Sequence, residues 1–335
     1  MDAAYSCEVA FSGISKSAKA RIGADSIMVD AAGREYFIDY ADIDDFRLLN
    51  YHLFIYTKKG EIEFSKLGRD TENFFEKLWL AYDAKSRASL FLKTEPLVER
   101  EGDYAYTEDG VNHIGKAKIA LYEDSLCILP HDSGARRIPL CFVKDINSVG
   151  YNQLLRLDTG EEYRIGRLGY DTKVFFDKTE SFSKAAAAAW KSAHEKLEAE
   201  LSGRLADRKE EYGIFKSLPG SVCTGLFAPY EPEFYFACIG KGKAALEFVI
   251  GENAATYLYS FDTGPETFQK SLTHACEAVG RNREVIYLPD EELSEKPLYR
   301  MAVERSRHLR FLRGCSAGRV IHTAGWEKNI RAFFV

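Results

Sequence analysis

GRDTENFFEK, residues 68–77, returns as GYDTKVFFDK, residues 169–178, with six of the ten positions identical. Each copy ends a run of short β-patterned segments and opens a helical one. The chain therefore reads as two sister domains in tandem, since self-similarity at a long fixed period marks a repeated structural unit.

Ahead of the first copy lie CEVAF, AKARIG, SIMVD, REYFIDY, IDDFRLL, YHLFIYT and EIEFSKL. These are rich in β-branched and aromatic residues, several alternate in polarity, and together they predict about seven strands. Turn signals separate them: Gly23-Ala24-Asp25, Ala32-Gly33, and Lys58-Lys59-Gly60, the last of which reads as a hairpin. After Gly68 the period changes. Phe74, Phe75, Leu78, Trp79 and Tyr82 recur at three- and four-residue steps and give a helix one apolar face. Asp70 or Thr71 is placed to cap its first turn.

The second copy repeats the plan with GKAKIALY, SLCILP, RRIPLCF, DINSV, QLLRLDT and EEYRIGRL, then Asp171-Thr172 before a helix carrying Phe175 and Phe176. Tyr51 to Gly60 aligns with Tyr151 to Gly160 at an offset of one hundred, and Asp25-Ser26 with Asp124-Ser125 at ninety-nine. Small insertions account for the drift.

Seven antiparallel strands closed by one C-terminal helix resemble the pleckstrin-homology-like (PH-like) fold, which GRAM-type and bacterial PH domains share. The resemblance covers residues 5–190 and rests on element order and the internal repeat. Trp79 and Trp190 both fall in the closing helices, where many PH domains carry a tryptophan, although they lie eleven and twenty-one residues after the matching glycines. The resemblance implies an α+β protein with two tandem PH-like antiparallel β-barrels, at residues 1–92 and 100–190, each closed by a C-terminal helix. It also implies a cytoplasmic, bacterial protein of the scaffold type.

The second helix is expected to outrun the first. Phe182, Ala186, Ala189, Ala193, Leu197, Leu201 and Leu205 form one stripe, and residues 191–211 read as a helical connector with Gly203 as its weak point. Residues 212–335 read as an α+β C-terminal domain. VCTGLFA, FYFACIG, KAALEFVIG and ATYLYSF suggest a four-stranded meander with Gly240 to Gly242 at one turn, and a helix follows from Pro265. The order strand, strand, helix leaves open a degenerate third repeat ahead of a helical tail. A short strand REVIYLP and a helix from Leu298 to Leu312 are expected after it.

Composition bounds the function. Of 335 residues, 46% are hydrophobic and 29% charged, the balance of a chain that can bury a core. No apolar run approaches the ~20 residues that cross a bilayer, and MDAAYSCEVAF lacks the marks of a secretory leader, which again predicts a cytoplasmic protein. Seven cysteines without a C-x-x-C pair fit buried reduced thiols. The net charge of −6 argues against general nucleic-acid binding, but residues 300–335 hold eight Lys or Arg against two acids, so this tail is +6.

Two basic groups stand out. In phosphoinositide-binding relatives of the PH-like fold the loop between the first two strands is basic, and Lys16, Lys19 and Arg21 can be written in that pattern, with Lys116 and Lys118 in the related region of copy two. Arg300, Arg307, Arg310 and Arg313 recur on one face of the expected C-terminal helix, with Arg319 beyond, a cationic stripe that could dock an acidic partner or a phosphate backbone. Cys315 and His322, among Gly314, Gly318 and Gly325, offer a nucleophile and base only if the fold brings them within reach. His308 reads as a surface helix residue. His52, His113, His131, His194 and His274 are dispersed without metal-ligand spacing, Glu161-Glu162 and Glu291-Glu292 read as surface pairs, and the glycines at 240–242 lack the phosphate-loop pattern. No metal or cofactor is expected. The favoured expectation is a non-enzymatic scaffold or adaptor for protein or peptide partners. The alternatives are peripheral binding of anionic lipid or nucleic acid through the basic residues, and a hydrolase centred on Cys315 and His322.

Overall fold

The computed structural model describes residues 4–11, 13–92, 94–204, 209–224, 235–248 and 255–335. The first seven strands are β1 (Tyr5–Phe11), β2 (Ile14–Ile22), β3 (Ser26–Ala31), β4 (Arg34–Asp39), β5 (Ile43–Leu49), β6 (His52–Thr57) and β7 (Gly60–Ser65). They form one antiparallel sheet in the order β4-β3-β2-β1-β7-β6-β5. Alternation places Cys7 and Val9 of β1, Ile27 and Val29 of β3, Leu53 and Ile55 of β6, and Phe64 of β7 on the inner face. Helix α1 (Thr71–Ser89) covers that face with Phe74, Leu78, Trp79 and Tyr82. Phe46 meets Tyr82 edge to face with ring centroids 5.2 Å apart.

The second sheet holds β8 (Val98–Glu108), β9 (Val111–Leu121), β10 (Ser125–Leu129), β11 (Arg136–Pro139), β12 (Val143–Val149), β13 (Asn152–Leu157) and β14 (Glu162–Gly166). Its order, β11-β10-β9-β8-β14-β13-β12, is that of the first sheet. Helix α2 (Thr172–Arg204) closes it with Phe175 and Phe176. Sequence reading omits β8, the partner of β9 and β14. Every residue of β10 is buried, because Leu90 after α1, with Tyr122 and Ala135, covers Cys127 and Leu129 on the second face.

The helix starts differ from expectation in one respect. A 3₁₀ turn precedes each, at Gly68–Asp70 and Gly169–Asp171. The Asp70 side chain makes no capping bond. Instead the Thr71 hydroxyl donates to the Gly68 carbonyl at 2.9 Å, and Thr172 to Gly169 at 2.7 Å. Gly68 and Gly169 take φ of 61° and 75°, which explains why glycine stands at both positions.

Residues 205–208, with Leu205, and the side chains of Leu197, Leu201 and Cys223 lie outside the described residues. Beyond them come α3 (Lys209–Ser217), β15 (Ser221–Thr224), β16 (Tyr235–Ile239), β17 (Lys243–Phe248) and β18 (Ala255–Ser260). These strands form the expected meander, with Gly242 at φ 78° in the β16–β17 turn. Helix α4 (Pro265–Val279) starts with proline in its first turn, as read. Then follow α5 (Glu284–Tyr287), α6 (Asp290–Ser294), α7 (Pro297–Glu304), α8 (Arg307–Gly314), β19 (Ser316–Ile321) and α9 (Trp326–Phe334).

Two expectations fail here. REVIYLP holds a helical turn over Glu284–Tyr287, with the Leu288 amide donating to the Glu284 carbonyl at 2.9 Å and Val285 and Ile286 both buried. The helix expected over Leu298 to Leu312 is two helices. Ser306 takes extended φ and ψ and caps α8 by accepting from the Leu309 amide. The third sheet has five strands, with β19 beside β18, an order unlike the first two sheets.

Candidate functional site

The break at Arg305 and Ser306 decides where the C-terminal arginines go. Helix α7 turns to the first sheet: Met301 joins its core, Arg300 pairs with Asp42 at 2.7 Å, and Lys58 pairs with Glu304. Helix α8 turns to the second: Arg310 pairs with Glu108 at 2.9 Å and Asp109 at 3.3 Å, and His308 bonds Glu161 at 2.9 Å. Arg313 donates to the Val285 carbonyl and pairs with Asp290. The expected stripe is thus divided between two helices, and Arg300, Arg310 and Arg313 are engaged inside the molecule. Arg307 and Arg319 are exposed.

Lys16, Lys19 and Arg21 lie within β2 and not in the turn before it. All three are exposed, but strand alternation puts Lys16 on the opposite face from Lys19 and Arg21, so they do not converge as a phosphate clamp requires. Cys315 and His322 bracket β19, whose rise of ~3.3 Å per residue sets them roughly 20 Å apart. Burial raises the Cys315 thiol pKa, the reverse of what a nucleophile needs, and His322 pairs with Glu247 at 3.0 Å. This geometry removes the hydrolase expectation for that pair.

A buried polar cluster forms where α8 and α4 meet the second sheet. Tyr106 and Glu108 alternate along β8, Arg136 opens β11, and the β13–β14 turn delivers Asp158 and Glu161. Glu108 and Arg136, each 7% exposed at the side chain, pair at 2.5 Å, and the Arg136 guanidinium lies 5.1 Å from the centre of the Tyr106 ring. Arg137 reaches the carbonyls of Glu277 and Ala278 at the C-terminal end of α4, where the helix dipole favours a cation.

His274 of α4 bonds Asp158 at 2.7 Å and stacks on Phe142 with centroids 4.2 Å apart. Its ring centre lies 4.6 Å from that of His308. Burial lowers the His274 pKa, and His308 adds to this against the opposing pull of Asp158. Burial alone would raise Glu161, but hydrogen bonds from His308 and Thr159 and the nearby Arg307 charge bring it down to about 2. The sequence reading treats Glu161 and His308 as surface residues, yet they are 8% and 9% exposed.

Glu161, His274 and His308 each offer a ligand atom, all within 4.8 Å of one another, the only such group among the described residues. The donor set is one that zinc uses. Here, however, both imidazoles bond carboxylates through Nε2, and Glu161 accepts from Thr159, Tyr163 and His308. A metal ion would have to break these bonds. The cluster also borders a cavity lined by Arg136, Arg137, Arg305 and Arg307, surroundings that oppose a second cation. The hydroxyls at this cavity are occupied, Ser89 by the Ser86 carbonyl and Ser306 by its cap.

The six described thiols are free. Burial raises the pKa of Cys7, Cys127, Cys141, Cys238 and Cys276, as expected of structural thiols. Among the described residues no helix is long and apolar enough to cross a membrane.

The fold and this cluster define an α+β protein of two like-ordered seven-stranded sheets, each followed by a helix, and a C-terminal α+β region that contacts both. No family model and no curated protein matches the chain. Among solved structures, one described as the structure of the Spt16D Pob3N heterodimer is similar at 16% identity, covering 52% of this chain and 88% of that one, with a TM-score of 0.20. That score is too low to bear on fold or function.

Proposed function

We propose that the protein is a non-enzymatic scaffold of two tandem PH-like domains that binds a protein or peptide partner through the matched hairpin tips between β5 and β6 and between β12 and β13. The supporting observation is the exposure of large apolar side chains at equivalent places. Leu49 and Tyr51 are 54% and 70% exposed, and Val149 and Tyr151 are 69% and 72% exposed. Neither pair is needed by a core. Tyr51 also takes φ 65°, a left-handed conformation that costs a non-glycine residue free energy. In the second copy Gly150, and not Tyr151, takes a left-handed conformation, so what the two tips share is the exposed tyrosine itself, which is better accounted for by contact with a partner, where tyrosine supplies large area and a hydrogen-bonding tip.

The test places a photo-crosslinking residue at position 51, at 151, or at exposed Lys173 as control, in the native host. A shared adduct at 51 and 151 that is absent at 173 supports the reading. No adduct at either tip, or equal labelling at all three positions, contradicts it.

A further inference from the structure

The cavity under α8 has a volume of about 40 Å³. A water needs roughly 10–15 Å³ measured in this way, so the space suits a few waters or one small polyatomic group. Its wall carries four guanidinium groups, of Arg136, Arg137, Arg305 and Arg307, and two carboxylates, of Glu108 and Glu161. Most of these charges are matched. Arg136 pairs with Glu108, Arg137 with Asp124 and Glu277, and Glu161 with His308.

Among the buried guanidinium groups of the wall, Arg305 is the exception. It is 3% exposed, and its bonds go to the Met301 carbonyl at 3.2 Å, the Tyr82 hydroxyl at 3.0 Å and the Ser86 hydroxyl at 3.4 Å, all neutral acceptors. Among the described residues no carboxylate pairs with it. A buried charge without a countercharge is costly, and removing one partner of a buried pair typically destabilises by several kcal/mol. In addition, the Nε–H groups of Arg136, Arg137 and Arg305 are buried and have no acceptor. Orphaned buried donors are uncommon, and three from one cavity wall point to an acceptor that the chain itself does not supply.

We propose that this cavity binds a small oxyanion, the carboxylate or phosphate group of a ligand, with Arg305 as its main charge partner. Guanidinium groups suit both anions through charge-assisted hydrogen bonds. Exposed Arg307 stands at the mouth. With Glu161 it also lines a groove of about 520 Å³, beside Arg164, so the cavity and the groove share part of their wall.

The test titrates the full chain with inorganic phosphate or with acetate by calorimetry, at ionic strength held constant with chloride. One of the two anions binds saturably and raises the melting temperature, and the arm that responds names the anion. Arg307→Ala weakens that binding about tenfold, the effect of losing one charge-assisted bond, and remains folded because the side chain is exposed. Arg305→Gln abolishes binding. If that variant does not fold, the Arg307→Ala comparison decides alone. Saturable binding by neither anion, or wild-type affinity in Arg307→Ala, overturns the proposal.

Discussion

The Arg305 guanidinium donates to the Tyr82 hydroxyl at 3.0 Å, across 223 positions of sequence, and so ties the bend between α7 and α8 to the helix that closes the first sheet. Tyr82 is fully buried, and its ring also packs against Phe46 and Tyr40. Arg305→Ala leaves that hydroxyl without its donor and is expected to cost about 2–4 kcal/mol. Tyr82→Phe keeps the packing and costs about 1 kcal/mol. Chemical denaturation of the two single variants and the double variant checks this, and the shared bond makes the double less than additive.

Acid should weaken the fold in two steps. The folded chain holds His274 below its ordinary value, so between that ordinary value, ~6.5, and the lower folded one the unfolded chain binds more protons and stability falls as pH falls. Glu161, at about 2 when folded, contributes stability that is present above its ordinary value of ~4.5 and is lost as pH falls from there toward about 2. His274→Gln can keep a donor to Asp158 and does not titrate. Melting temperatures at pH 7.5 and 5.5 should differ less in this variant than in the wild type, and an equal difference would show that His274 is not the group responsible.

The repeated helix start gives a contrast between neighbouring residues. Thr71→Val and Thr172→Val each remove a hydroxyl bonded to a glycine carbonyl, and each should cost about 0.5–1.5 kcal/mol. Asp70→Ala, which removes no capping bond, should stay within ~0.5 kcal/mol of wild type. Denaturant midpoints measure all three.

Charge reversal separates the arginines that sequence periodicity groups together. Arg310→Glu sets a third carboxylate beside Glu108 and Asp109, and with Glu108 7% exposed at the side chain the expected loss is about 2–4 kcal/mol. Arg307→Glu, at an exposed position with Glu161 as its nearby charge, should cost clearly less than Arg310→Glu. Equal effects would mean that the two arginines have equivalent surroundings.

The first fourteen strands were largely legible because their chemistry is local. Ile27 and Val29 alternate with polar neighbours, Lys58-Lys59-Gly60 makes a hairpin, and the step from Phe74 to Leu78 to Tyr82 sets a helical face. Strand β8 escaped because its first part, Val98-Glu99-Arg100-Glu101, carries charge on successive residues, and its buried parity emerges only from Gly102, through Tyr104, Tyr106 and Glu108. Val285 and Ile286 look like strand residues, but both are buried and α5 packs against α8, so tertiary contact prevails over propensity.

The polar cluster was not legible for a different reason. Glu161, His274 and His308 are separated by more than thirty positions each, so no spacing signals their meeting, and only the packing of α4 and α8 on the second sheet unites them. The arginine stripe was legible as composition and misleading as geometry. Periodicity continues through Arg305 and Ser306, while the serine cap ends one helical direction and begins another.

The C-terminal arginines hold α7 and α8 against the two sheets. A double-mutant cycle on Arg300→Ala and Asp42→Ala, read by denaturant unfolding of the full chain, tests it most directly. The side chains are 27% and 22% exposed and pair at 2.7 Å. The expected coupling is about 0.5–1 kcal/mol, favourable in the wild type. Strictly additive variants, with no coupling, would contradict it.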